Sequence, residues 1–434
     1  MGNKLLDQVI QTGFCSGCGT CSGVCPMDCI RFGEASGIAE DICMDKCINC
    51  NLCYKCCPSV EVKLPPFAND GVKNLGIGNY ISLFKGHALD DFLRKNGASG
   101  GTVTGVLTYL LESHVVDRVI CADFSAERST YRIIARSDEL INHQKSYYVP
   151  LPVNIALHQV KSTDLKYAIV GLPCQLEGLS KALEYDERLK NRIVVKLGLF
   201  CGYAQNRKGI CRLAEYMECE GDAWEFLGWR NGEYPGMVTF RNKNTHEKKQ
   251  MPYYDSLNLL IPFYSLKKCF ACMDSTNQCA DIAFGDVHAL GIDENIGIVR
   301  TETGANVLKS AAQSGYIGYS DETTNQNVVK AIQTVATAKG AAVREFLRMM
   351  EKEGYRIPVW EVVTTEPRVN VITRHLLRRK GKMYAWSISP KGQSKFSRLT
   401  NYEKMKLGKF IYQYPGSSRL YKFVLQAYKA VKRK

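Results

Sequence analysis

Eleven of the nineteen cysteines in this 434-residue chain fall between Cys15 and Cys57. Cys15, Cys18, Cys21 and Cys25, followed by Pro26, read C-x2-C-x2-C-x3-C-P. Cys47, Cys50, Cys53 and Cys57, followed by Pro58, repeat the pattern 32 residues later. Three thiolates at this spacing can wrap one corner of an iron–sulfur cube, while the fourth crosses to a second cube. The spacing therefore predicts two [4Fe–4S] clusters, one on Cys15, Cys18, Cys21 and Cys57, the other on Cys47, Cys50, Cys53 and Cys25. Gly17 and Gly19 leave room for backbone N–H groups to approach the cluster. Zinc ribbons are the competing reading, but they use separated C-x2-C pairs, whereas here the pairs are fused into triplets and closed by proline. Cys29, Cys43 and Cys56 are left over and read as small buried residues.

Such a module moves single electrons and makes no bonds, so the remaining residues must hold what gives or receives them. Three features stand out. The loop GASGG, starting at Gly97, opens a helical pattern, and a helix N-terminus offers N–H groups to a phosphate; a plain tight turn explains it equally well, and it is not the G-x-G-x-x-G dinucleotide fingerprint. Cys174 in VGLPCQLEGL and Cys201 in GLFCGY each follow a strand pattern, and ligands of open sheets gather at the carboxyl ends of strands. Cys269 and Cys272 form a further C-x2-C pair, which could join Cys174 and Cys201 as four thiolates. A third [4Fe–4S] cluster, a zinc site and free thiols all remain open on spacing.

KSYYVP at 145–150, GLPCQ at 171–175, GLFC at 198–201, RNGEYPG at 230–236 and CFACMD…ADIAFGD at 269–286 resemble, in this order, the beta subunit of coenzyme F420 hydrogenase/dehydrogenase. The resemblance runs over roughly residues 1–300. It implies an iron–sulfur flavoprotein with FAD in the central domain, and it favours the third cluster on Cys174, Cys201, Cys269 and Cys272. By the same resemblance Gly97, Ser99, Gly100, Gly101 and Thr102 form the FAD-phosphate loop. Lys145 and Tyr147 become contacts of flavin or substrate, against a solvated surface lysine as the plain alternative. Capping or turn roles account equally well for Asp281, Asp286 and His288, and Cys279 reads as spare.

The elements that must position these residues divide the chain in three. Residues 1–64 form the two-cluster ferredoxin-like domain. Residues 80–360 alternate helical and strand patterns, which predicts an α/β or α+β domain with a parallel or mixed sheet covered by helices; strands are expected at 115–122, 166–171 and 192–200. Residues 361–434 form a basic extension. From Arg368 onward there are 18 Lys and Arg against one acid, so a net charge of +14 for the whole chain leaves the rest slightly acidic. Leu420, Phe423, Val424, Ala427 and Val431 fall on one helical face. This pattern suits an anionic membrane surface, an acidic partner, or a helical appendage packed on the domain. No recognition motif accompanies the charge, which argues against nucleic acid.

No apolar run approaches the ~18 residues of a membrane span, and no signal-peptide core opens the chain. Thiols in quantity without an export signal point to a reducing compartment. The expectation is a cytoplasmic protein, peripheral to the inner face of the membrane if the extension binds lipid. The functional expectation is an oxidoreductase that passes electrons between reduced ferredoxin, or a partner redox subunit, and a hydride-accepting small molecule. A self-contained chain with a long extension leans toward a substrate in a cell-envelope polysaccharide pathway. The alternatives are F420 reduction or oxidation within a larger hydrogenase or dehydrogenase, and a non-catalytic electron-transfer subunit.

Overall fold

The computed structural model describes residues 3–65, 77–124, 129–286, 294–360 and 371–413. The N-terminal module contains two short helices, Thr20–Val24 and Leu52–Lys55, and a small antiparallel pair, β1 (Ile30–Phe32) and β2 (Ala39–Ile42). The two cysteine repeats thus become two loop–helix units, each helix starting just inside its cysteine triplet. The module ends in β3 (Glu61–Val62).

The centre is an eight-stranded sheet. Its strands are β4 (Ser82–Ala88), β5 (Arg118–Phe124), β6 (Ser129–Ile134), β7 (Tyr167–Gly171), β8 (Ile193–Leu199), β12 (Ile282–Gly285), β13 (Asn295–Val299) and β14 (Ile317–Asp321), in the order β14-β4-β13-β12-β8-β7-β5-β6. The inner strands β5, β7, β8 and β12 are parallel, and antiparallel strands flank them on both sides. The mixed sheet expected from the alternating pattern is therefore present, with three strands close to their expected positions. β7 is buried along its whole length, as the unbroken apolar run YAIVG requires of a strand covered on both faces. Helix Thr102–Glu112 packs on one face through Val106, Leu107 and Leu110; helix Pro173–Tyr185 packs on the other through Leu176 and Leu179.

Between β8 and β12 the chain builds a three-stranded antiparallel sheet, β9 (Trp224–Asn231), β10 (Met237–Asn242) and β11 (Lys248–Pro252), followed by helix Tyr253–Tyr264. These elements and the long helix Gln326–Lys352 share a second core that includes Trp229, Phe270 and Phe346. After that helix, β15 (Val359–Trp360) pairs in parallel with β3.

The basic extension does not hang free over its described part. Helices Val371–Ile388, Pro390–Ser397 and Asn401–Gln413 pack on helix Tyr253–Tyr264 and bury Tyr384, Phe396 and Ile411 in the second core. Phe396 stacks on Phe263 at 3.8 Å between ring centroids. Arg378, Lys382, Lys391, Lys395 and Lys406 remain exposed. Of the readings weighed for the extension, a packed appendage with a solvated basic face describes residues 371–413. The amphipathic pattern at 420–431, on which membrane contact rested, lies outside the described residues. Among the described residues no helix is long and apolar enough to cross a membrane.

The N-terminal module is bonded into the centre. Asn154 N–H donates to the Cys18 carbonyl at 3.1 Å, and the Asn154 side-chain amide donates to Thr20 Oγ1 at 2.8 Å and to the Gln175 carbonyl at 2.7 Å. Lys181 donates to the carbonyls of Cys57 and Glu61, and Lys268 to that of Pro58 at 2.9 Å. Both lysines are almost wholly buried. Helix Thr20–Val24 lies so close to this surface that a Cβ on Gly23 would stand 2.0 Å from the Asn154 carbonyl oxygen. Gly23→Ala is expected to destabilise the protein by about 1–3 kcal/mol, because neither backbone can yield. Thermal melting with limited proteolysis of the module checks this, and a wild-type profile would contradict the close packing.

Candidate functional site

No disulfide joins any of the nineteen cysteines. In the N-terminal module nine of them line two small cavities, the ninth being Cys29, which joins the second. Cys15, Cys18, Cys21 and Cys57 face the first, and Cys25, Cys47, Cys50 and Cys53 face the second. The fourth cysteine of each repeat has crossed to the other triplet. Short local bonds shape these loops: Gly17 N–H and Ala39 N–H each approach Cys15 Sγ at 3.4 Å, and Ser59 N–H approaches Cys57 Sγ at 3.4 Å. Burial pushes the thiols of Cys15 and Cys57 up, to about 11 and about 12. Among the described residues no three His, Cys, Asp or Glu side chains converge closely enough to chelate a single ion.

A further group of thiols lies at the carboxyl ends of the parallel strands. Cys174 starts the helix after β7, and Cys201 follows β8. Burial raises the Cys174 thiol well above its ordinary value, and the neighbouring sulfurs of Cys18, Cys201, Cys272 and Cys269 raise it further. Sulfurs from residues up to 98 positions apart in sequence, and Cys18 of the N-terminal module, thus lie within electrostatic reach of Cys174. The loop after Cys272 is shaped by Asp274, whose carboxylate accepts from the N–H groups of Thr276, Asn277 and Gln278. The Asn277 amide in turn donates to the carbonyl of Gly171 at the end of β7 and to that of Leu199 at the end of β8. This explains why ADIAFGD must follow the cysteine pair: β12 completes the sheet that carries the other two thiols.

Next to Cys201 opens a cavity of about 680 Å³, within the range of cofactor sites. It runs over the carboxyl ends of β7, β8 and β12, lined there by Gly171, Leu199 and Gly285. Of the residues assigned to flavin from sequence, Gly97, Ser99, Gly101, Lys145 and Tyr147 line it. Gly100 and Gly101 both take the left-handed conformation, at φ of 70° and 69°, so only glycine fits without strain. Thr102 stands behind the loop. Its hydroxyl donates to the Gly86 carbonyl at 2.7 Å, and its N–H to Asn295 Oδ1 at 3.2 Å, so it braces the loop against the sheet. Lys145 is half-buried and held at φ 76°, a left-handed conformation rare for lysine. Burial lowers its pKa. Burial also pushes the Tyr147 hydroxyl up to about 12, with the charges of Cys121 and Asp123 adding to it.

Arg230 was not singled out from sequence. Its side chain is nearly inaccessible. It pairs with Asp286 at 2.5 Å and donates to the Ala98 carbonyl at 2.9 Å and the Pro235 carbonyl at 2.7 Å. Its guanidinium also lies 5.1 Å from the Tyr253 ring centroid, and Tyr253 stacks on Tyr148. One side chain thus ties the GASGG loop to the end of β12 and to the cavity's aromatic wall. Asp286, left open on sequence between a site role and a turn, is the carboxylate partner of this network. The arginine sits inside the RNGEYPG stretch, but its partner is 56 residues away, beyond the reach of any local pattern. His288 lies outside the described residues.

The family model for the coenzyme F420 hydrogenase/dehydrogenase beta subunit N-terminal part matches residues 83–158, and that for its C terminus matches residues 164–325. The chain belongs to the coenzyme F420 hydrogenase/dehydrogenase beta-subunit family. The two matched segments enclose the GASGG loop, Lys145, Tyr147, Arg230 and the four central cysteines. An uncharacterized protein of Methanocaldococcus jannaschii is 25% identical over 368 residues, covering 76% of this chain and 95% of that protein. The coenzyme F420-dependent sulfite reductase of the same organism is 25% identical over 317 residues, covering 70% of this chain but only 46% of the reductase. A chain of the F420-reducing [NiFe] hydrogenase complex from Methanosarcina barkeri shares the fold, with a TM-score of 0.53 at 17% identity over 66% of this chain and 98% of its own length.

Proposed function

We propose that this family member is an iron–sulfur flavoprotein that exchanges electrons between a one-electron partner and coenzyme F420. The observation that carries the reading is the contiguity of the cysteine-bearing loops with the cavity: Asn154 bonds both the Cys18 carbonyl and the Gln175 carbonyl next to Cys174, and Gln175 and Cys201 line the cavity wall. On this reading Cys15, Cys18, Cys21 and Cys57 hold one [4Fe–4S] cluster, Cys47, Cys50, Cys53 and Cys25 a second, and Cys174, Cys201, Cys269 and Cys272 a third. FAD occupies the cavity, with its phosphates on the Gly97–Gly101 loop. A flavin is the cofactor that can exchange electrons singly with clusters and in pairs with a hydride carrier. The chain's own contribution is placement. Arg230 fixes the loop through the Ala98 carbonyl, Lys145 presents a cation to the anionic ligand, and Tyr148 and Tyr253 wall off water.

F420 is favoured because two of the proteins similar to this chain carry it in their names, as an F420-dependent reductase and an F420-reducing hydrogenase complex. Nothing comparable supports the cell-envelope polysaccharide pathway toward which the sequence leaned. A partner redox subunit, as in the hydrogenase complex, or reduced ferredoxin supplies or takes the single electrons.

The test is anaerobic. Purified, reconstituted protein is expected to hold about twelve irons and one flavin, and to bleach F420 when reduced ferredoxin is supplied. Bound iron and flavin without F420 turnover would favour the non-catalytic electron-transfer subunit. Zinc in place of iron would remove the reading altogether.

A further inference from the structure

The matched family segments end at residue 325, yet the cavity's lining includes Lys380, Tyr384 and Tyr412 from helices beyond that point. These helices are fastened where they meet the cavity wall. Ser387 Oγ donates to the Pro262 carbonyl, Gln393 Nε2 to the Phe263 carbonyl at 2.8 Å, and Gln413 Nε2 to Asn258 Oδ1 at 3.2 Å. Gly408 lies against the Asn258 carbonyl, where a Cβ would approach to 2.2 Å. The extension is therefore a fitted roof, built on helix Tyr253–Tyr264.

Lys380 is the cation of that roof. Its ammonium donates to the Tyr412 carbonyl at 3.0 Å and lies 5.6 Å and 5.9 Å from the ring centroids of Tyr384 and Tyr412. Among the described residues no carboxylate pairs with it. The other charged groups of the cavity wall are Arg230, paired with Asp286, His143, 3.6 Å from Asp123, and Lys145, assigned above to the cofactor. An ammonium with three donors, one carbonyl partner and two aromatic faces is built to receive an anion. Burial lowers its pKa to about 8, as expected of a cation held in a cavity without a counter-charge.

We infer that Lys380 binds a phosphate or carboxylate group of the hydride-carrying substrate, and that the C-terminal helices are this chain's substrate-selecting element. The inference rests on the reading above, in which that substrate is F420, a deazaflavin bearing a phosphodiester and carboxylates. FAD's own phosphates are the other anion within reach. The matched segments already supply the GASGG loop and Lys145 for those, so the roof lysine is assigned to the substrate.

The experiment compares wild type, K380M and K380R as reconstituted holoenzymes. Methionine keeps the apolar stem and removes the charge. Iron and flavin content are expected to be the same in all three. The Kd for F420, from fluorescence quenching with the oxidised enzyme, is expected to rise at least about 10-fold in K380M, as loss of a charged hydrogen bond implies, and to lose its salt dependence. K380R is expected to restore most of the affinity, and KM to move with Kd more than kcat does. Flavin lost from K380M would make Lys380 a cofactor ligand and overturn the proposal, as would an unchanged Kd. If wild type does not bind F420 at all, the functional reading fails, and the lysine is judged with inorganic pyrophosphate as the probe. Perturbation of the flavin absorbance in wild type and K380R but not in K380M supports an anion site; equal response, or none, in all three overturns it.

Discussion

Cys174→Ser is expected to lower bound iron from about twelve to about eight atoms per chain and to slow ferredoxin-driven F420 reduction at least about 100-fold. The serine is nearly isosteric, so the helix that begins at Pro173 should form as before. What changes is the donor. A thiolate is a soft ligand suited to iron–sulfur clusters, whereas a hydroxyl is hard and keeps its proton. The sulfurs of Cys18, Cys201, Cys269 and Cys272 all raise the Cys174 thiol, so its loss should be felt more than that of a peripheral thiol. Flavin content should survive, because Leu172 and Gln175 line the cavity whereas Cys174 does not. Iron analysis and the stopped-flow rate check the two halves separately. Twelve irons retained in this variant, and in Cys272→Ser, would remove the third cluster from the reading.

Arg230→Met carries the largest expected cost to stability. The substitution leaves Asp286 without its guanidinium and leaves the carbonyls of Ala98 and Pro235 without the donor they now share. Breaking a buried pair from one side typically costs about 3–5 kcal/mol. In a chain of this size that is a fall in apparent Tm of ~3–5 °C. Because the same side chain holds the Gly97–Gly101 loop, flavin should be lost in parallel. Arg230→Lys is expected to rescue little, since a single ammonium cannot span two carbonyls and a carboxylate at once. Wild-type melting and flavin content in the methionine variant would show that the network is ornamental.

The parts of this protein that could be read in the sequence are those whose geometry is local. Triplets of cysteine two residues apart, repeated once, required that each fourth cysteine cross over, and the structure groups Cys57 with the first triplet and Cys25 with the second. The strand-turn-helix at VGLPCQ was equally local, since an unbroken apolar run followed by Leu-Pro can do little else. Grouping Cys174 with Cys269 needed more than spacing, because only the order of strands in the sheet brings β7, β8 and the chain before β12 together. Arg230 escaped for the same reason: its worth comes from partners at Ala98 and Asp286. The extension was left open in a different way. Counting charges from Arg368 to Lys434 suited a membrane surface, an acidic partner or a packed appendage alike, and Tyr384, Phe396 and Ile411, sparse among the lysines, are what dock residues 371–413.

Lys181 and Lys268 hold the stretch after Cys57 from beneath, and the Asn154 amide holds the loop at Cys18. A domain pinned at both of its inner loops cannot swing on a tether to fetch charge from elsewhere and return with it. On the proposed reading, traffic between this protein and its supplier therefore has a fixed port. The outer ring of thiols, where Cys50 is exposed beside Ile48, is the berth, and it is the supplier that must do the travelling.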